Sequence, residues 1–199
     1  MKPTQLIPPN YQPAGKFDLK NIKQVILINF VGLFMLVLTI MFFTWLLSQI
    51  RPESGNLFSF EVSSLSMLVI SFAKIIFTFL FVLILHEGFH AFFFWFFSKQ
   101  KPIIGFKGFY AYASMPGWYF PRNQYLLIVI APLIFITLIG ILLFAIMPAA
   151  TLNLVLVALI INATGAAGDI PVAIWLLTKP PATYALDQID TIEFFTPVK

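Results

Sequence analysis

Residues His86-Glu87-Gly88-Phe89-His90 concentrate the chemistry of this 199-residue chain, which has no other histidine and no cysteine. A four-residue spacing on a helix stacks both imidazoles on one face, one turn apart. There they can hold one Zn2+ at about 2.0–2.1 Å while the intervening Glu87 reaches a water beside the metal. Two histidines scattered at random in such a chain fall four apart roughly once in a hundred times, and a Glu directly after the first makes the pattern rarer. The competing structural reading is an interhelical pair of hydrogen-bonded histidines with a protonated Glu87. It would bury three ionisable groups with no return.

Two histidines are half of a catalytic zinc site, which usually has three protein ligands and a water. The acidic candidates for the third ligand are Asp18, Glu53, Glu61, Asp169, Asp187, Asp190 and Glu193. All but Asp169 fall in loops or tails, whereas Asp169 lies within an apolar stretch where an uncompensated charge is costly. Depth agrees: from residue 88, midway between the histidines, to Lys99 is 11 residues, and from Asp169 to Lys179 is 10. At a rise of 1.5 Å per residue these are about 16 and 15 Å from the flanking charges, one level in two parallel helices. Asp169 is therefore read as the third ligand. Gly165 and Gly168 permit close helix approach or a bend, and Pro171 cannot donate its helical hydrogen bond, so a kink is expected near residues 167 to 171. Asn162 stands seven residues before Asp169, on the same face. It could contact substrate backbone or steady an oxyanion, or simply bond a neighbouring helix.

The elements that must position these residues are membrane helices. The chain is 60% hydrophobic, 17% aromatic and only 10% charged, with mean hydropathy +0.93, whereas soluble domains carry about a quarter charged residues. Without cysteine, disulfides, thiolate nucleophiles and thiolate metal sites are excluded. The net charge of +4 reports membrane orientation more than nucleic-acid binding, and no nucleic-acid partner is expected. Four apolar stretches reach the roughly 20 residues needed to cross a bilayer: Val25 to Leu47, Ile75 to Phe97, Tyr125 to Met147 and Leu152 to Leu177. The first begins after 24 polar, proline-containing residues and is too long for a cleaved signal, so it reads as an anchor. Lys2, Lys16, Lys20 and Lys23 precede the first span, and Lys99, Lys101, Lys107 and Arg122 lie between the second and third, with Arg51 alone on the other side. The positive-inside rule then puts both termini in the cytoplasm, as expected of a multi-pass protein of a bacterial cytoplasmic membrane. Lys74 reads as snorkelling to the headgroups.

The expected architecture is thus an all-α integral membrane protein with four transmembrane helices, at about 25–47, 67–97, 125–147 and 152–177. They form a single membrane domain (25–180) between a cytoplasmic N-terminal segment (1–24) and a cytoplasmic tail (181–199). A short cytoplasmic aromatic loop or hairpin joins the second and third helices. Its aromatics suit the headgroup region, and Phe109 to Met115 could form a strand between Gly108 and Pro116-Gly117.

Taken together, the His86 to His90 pattern ending a hydrophobic span, the aromatic segment, Ala131-Pro132-Leu133 opening the next span and Asn162 to Asp169 in the last resemble the zincin peptidases of the DUF3267 family, relatives of the site-2 (M50) intramembrane metalloproteases. The resemblance covers about residues 70 to 180. It implies a zinc endopeptidase cutting within or beside membrane-spanning helices, with His86, His90 and Asp169 as ligands and Glu87 as base. Where site-2 proteases carry an Asn-to-Leu-Asp-Gly stretch, this chain reads Asn162-Ala-Thr-Gly-Ala-Ala-Gly-Asp169-Ile-Pro171. The expected partners are the lipid bilayer and a membrane-protein or membrane-adjacent peptide substrate. The rival expectations are a non-proteolytic metal-binding membrane protein, either an ion or proton transporter or a regulator of membrane proteins, and a zinc hydrolase of lipids.

Overall fold

The computed structural model describes every residue except 56, 58–62, 109 and 199. A first strand, β1 (Tyr11–Asp18), leads into the long helices α1 (Ile22–Ile50) and α2 (Leu65–Ser98). Three short strands follow, β2 (Ile103–Lys107), β3 (Tyr110–Ser114) and β4 (Tyr119–Pro121), and then α3 (Arg122–Ile146). The chain returns through α4 (Leu152–Gly165) and α5 (Asp169–Leu177) and closes with β5 (Tyr184–Asp187) and β6 (Thr191–Pro197).

The expectation of an all-α protein with four transmembrane helices is overturned. Strands make up 17% of the chain beside 61% helix. They form a four-stranded antiparallel sheet in the order β1-β6-β5-β4 and a β2-β3 hairpin. The two ends of the chain, read from sequence as plain cytoplasmic segments, pair with each other from Tyr11 opposite Pro197 to Asp18 opposite Thr191. The β-branched and aromatic residues of this strand, Thr191, Ile192, Phe194, Phe195 and Thr196, favour this once a partner strand covers its edge.

Among the described residues, α1, α2 and α3 are the helices long and apolar enough to cross a membrane unbroken. The stretch from Ala149 to Leu177 passes the same test only as a pair bent by 53° between Gly165 and Asp169. Pro171 is the third residue of α5. There its missing N–H costs nothing, because the first four N–H groups of a helix have no partner within it. The chain therefore restarts a helix at Asp169 instead of continuing one. Gly165 and Gly168 flank the bend but mark no close approach, since a Cβ on either would meet nothing within 4 Å.

Close approach occurs at Gly140, where a Cβ would stand 2.5 Å from Cδ2 of Leu159, itself fully buried between α3 and α4. Gly140→Ala is expected to destabilise the fold by about 1–3 kcal/mol through overpacking, read as a lower unfolding midpoint in detergent.

Capping sets where the long helices begin. The Asn21 side chain accepts from the Lys23 N–H and Ser64 Oγ from the Met67 N–H, satisfying otherwise orphaned first-turn donors. At the start of α3, Arg122 donates from Nε to the Leu176 carbonyl (2.9 Å) and from Nη2 to the Leu177 carbonyl (3.2 Å). Those are last-turn carbonyls of α5, so this one side chain ties the start of one helix to the end of another. The sheet packs on the same end of the helices, with the Gly15 backbone against Trp175 of α5. At the far end of α1, Arg51 Nη1 donates to the Met147 carbonyl at 2.7 Å.

Candidate metal centre

His86 and His90 point from one face of α2 toward the first residue of α5. Asp169 Oδ2 lies 3.1 Å from His86 Nε2 and 3.5 Å from His90 Nε2. One ligand atom from each of the three residues falls within 4.8 Å of the other two. Ligands at about 2.05 Å around a tetrahedral ion stand about 3.3 Å apart, a value that lies between the two carboxylate distances. Both histidines are buried, and the bend after Gly165 is what presents Asp169 to them at the start of a new helix.

The outer nitrogens of the imidazoles decide what the inner ones can do. His90 Nδ1 is 2.8 Å from the Ile128 carbonyl oxygen, which can only accept. His86 Nδ1 is 3.1 Å from Asn162 Oδ1. The Asn162 amide orientation follows from its other end, where Nδ2 donates to the Pro132 carbonyl at 3.3 Å. Both Nδ1 atoms therefore carry the proton, and in neutral imidazoles both Nε2 atoms turn lone pairs toward a carboxylate oxygen. Three acceptors converging in a buried place are satisfied by a cation. Two imidazole nitrogens and a carboxylate oxygen are a donor set that suits zinc.

Glu87 stands outside this trio but lines the same space. A cavity of about 220 Å³ runs from His86, Glu87, His90 and Asp169 to the sheet, where Asp187 and Ile189 line its other end. A second cavity, of about 390 Å³ and mostly apolar, reaches the same point between α2 and α4, past Phe79, Val82 and Ile160. His86, Glu87, Tyr110, Ala111 and Gly165 line both. Ala113 of β3 lines the first cavity together with Glu87.

Asn162 is 1% exposed and its carboxamide is occupied at both ends, by His86 and by the Pro132 carbonyl. Among the other acidic candidates, Asp18 pairs with Lys16 at 3.1 Å and Glu53 with Arg51 at 3.0 Å. Glu193 sits in β6. Glu61 and Phe109 lie outside the described residues.

Asp187 and Asp190, read as tail residues, help to build the cavity. Asp187 accepts from Ser114 Oγ (2.5 Å) and Tyr125 Oη (2.7 Å). Burial pushes its carboxyl above the usual range, and these donors pull it back. Asp190 accepts from Lys107 Nζ and Tyr110 Oη, both at 2.6 Å, fastening the β2-β3 hairpin to the β5-β6 turn. Those two bonds hold its carboxyl down at about 2. The available signal was the acidic Asp187-Gln-Ile-Asp190 turn between two short β-favouring runs, a hairpin pattern.

No curated protein and no solved structure matches the chain. The family model of DUF3267, whose description is "Putative zincin peptidase", matches residues 79–184, which hold both histidines, Glu87, Asn162 and Asp169. Because that match covers more than half of its length, the chain belongs to the DUF3267 family.

Proposed function

We propose that the protein is a zinc metallopeptidase, related to the site-2 proteases, that hydrolyses peptide bonds within or beside membrane-spanning segments. The observation that carries this reading is the convergence of His86 Nε2, His90 Nε2 and an Asp169 oxygen beside Glu87. Zinc held there would supply a Lewis acid that polarises the scissile carbonyl and makes water easier to deprotonate. Glu87 takes the proton of the attacking water and delivers it to the leaving amine nitrogen. Asn162 and the Ile128 carbonyl keep the two imidazoles turned so that Nε2 faces inward.

A helix hides its backbone carbonyls, so a substrate must be extended before it is cut. Strand β3 pairs with β2 along one edge, and its Ala111 and Ala113 line the same cavity as Glu87. Among the described residues no strand pairs with the other edge of β3, and an extended peptide would add there as a further strand. The apolar cavity between α2 and α4 suits an approach from the lipid, and the one below the sheet suits water.

The test is reconstitution in vesicles with single-pass peptides, following fragments by mass spectrometry. Cleavage that stops with a zinc chelator and returns with added zinc is the expected result. Zinc-dependent release of fatty acid without peptide fragments would identify a lipid hydrolase. Ion or proton flux without either product would identify a transporter.

A further inference from the structure

Ile128 is 1% exposed, so its carbonyl cannot rely on bulk water. In an uninterrupted α-helix that oxygen would accept from the N–H of residue 132. Residue 132 is a proline inside α3 and has no N–H. The bond the oxygen does accept comes from His90 Nδ1 on the neighbouring helix, at 2.8 Å. The Pro132 carbonyl also accepts from Asn162 Nδ2, and Asn162 Oδ1 faces His86 Nδ1. One turn of α3 thus supports both histidines, directly for one and through a carboxamide for the other.

We propose that Pro132 is a positioning residue for the metal centre, a reading that rests on the zinc site proposed above. By withholding the N–H that would occupy the Ile128 carbonyl, it leaves that oxygen to His90 and fixes the ring with Nδ1 protonated and Nε2 free. A proline in the middle of a helix normally weakens it. Here the lost helical bond is replaced by one to a metal-ligating ring. Restoring an N–H at position 132 lets Ile128 bond within its own helix, and His90 loses its anchor.

Because the chain has two histidines, protein labelled with 15N-histidine gives only two imidazoles to observe. In metal-free protein, observed at a pH where both rings are neutral, both should report the Nδ1–H tautomer. Pro132→Ala, which regularises the helix, should release His90 to a mixture of tautomers, leave His86 unchanged and weaken zinc binding by about 10–100-fold, the usual cost of losing an outer partner. Asn162→Ala should do the converse, releasing His86 alone. A lactic-acid residue at position 132, which puts an ester oxygen in place of the N–H and has no ring, should keep the His90 signature and the wild-type affinity. An unchanged His90 in Pro132→Ala would overturn the proposal. So would a lactic-acid variant that behaves like alanine, because that would assign the effect to the ring. The tautomers are read without metal, so wild-type protein that binds no zinc but shows the Pro132→Ala release would refute the zinc reading and leave the wiring of His90 standing.

Discussion

Glu87→Gln is expected to reduce peptide cleavage by about 10²–10⁴-fold while leaving zinc content unchanged, the range that loss of a positioned acid–base group gives. At about 1.36 kcal/mol per tenfold, this is about 3–5 kcal/mol of barrier. The split between the two readouts follows from the geometry. Glu87 lines both cavities but is absent from the group of converging ligand atoms, so glutamine keeps the shape and every metal contact and removes only the base. Single-turnover assays together with metal analysis of the same sample check it. Undiminished cleavage would mean that another group moves the proton, and loss of zinc with cleavage would mean that Glu87 is a ligand.

Asp169→Ala has the second large effect, and it falls on the metal. Structural zinc sites with four ligands bind with about 10–16 kcal/mol, so one ligand contributes roughly 3–4 kcal/mol and its loss should raise the zinc dissociation constant by about 10²–10³-fold. Titration with a competing zinc indicator measures this. The alternative for Asp169 is a plain ion pair with a protonated histidine at 3.1 Å. Under that alternative zinc affinity would not move, and the cost of the substitution would appear only as lost stability. Asp169→Asn separates the two further, because it keeps the volume and an acceptor oxygen while removing the charge that favours the metal.

The two histidines and Glu87 were legible because a helix converts a spacing of four into a shared face, with no tertiary information needed. Asp169 was legible for a different reason. Charge is costly at depth, and counting residues to the flanking lysines gave it the same level as the histidines. The sheet was not legible in this way. Tyr11–Asp18 gains its partner only from Thr191–Pro197 at the other end of the chain, and no local pattern encodes so distant a pairing. Asp187 was set aside for the same reason, since its role depends on Ser114 and Tyr125 arriving from two other elements. The stretch from Leu152 to Leu177 read as one span because hydropathy counts apolar residues and is blind to a 53° break at Gly165. Pro171 and the neighbouring glycines did mark the place. Asn162 was read as a candidate either to touch substrate or to bond a neighbouring helix, and the folded chain gives its amide to His86 and Pro132.

The central claim is that His86, His90 and Asp169 hold one zinc ion beside Glu87. Zinc K-edge absorption on the Glu87→Gln protein, purified in lipid with its metal counted, tests it most directly. The account predicts one zinc per chain with two imidazole nitrogens at about 2.0–2.1 Å and oxygen in the remaining positions, reduced to one imidazole in His90→Ala. A protein that takes up no zinc, or zinc whose environment is unaltered by His90→Ala, would contradict it.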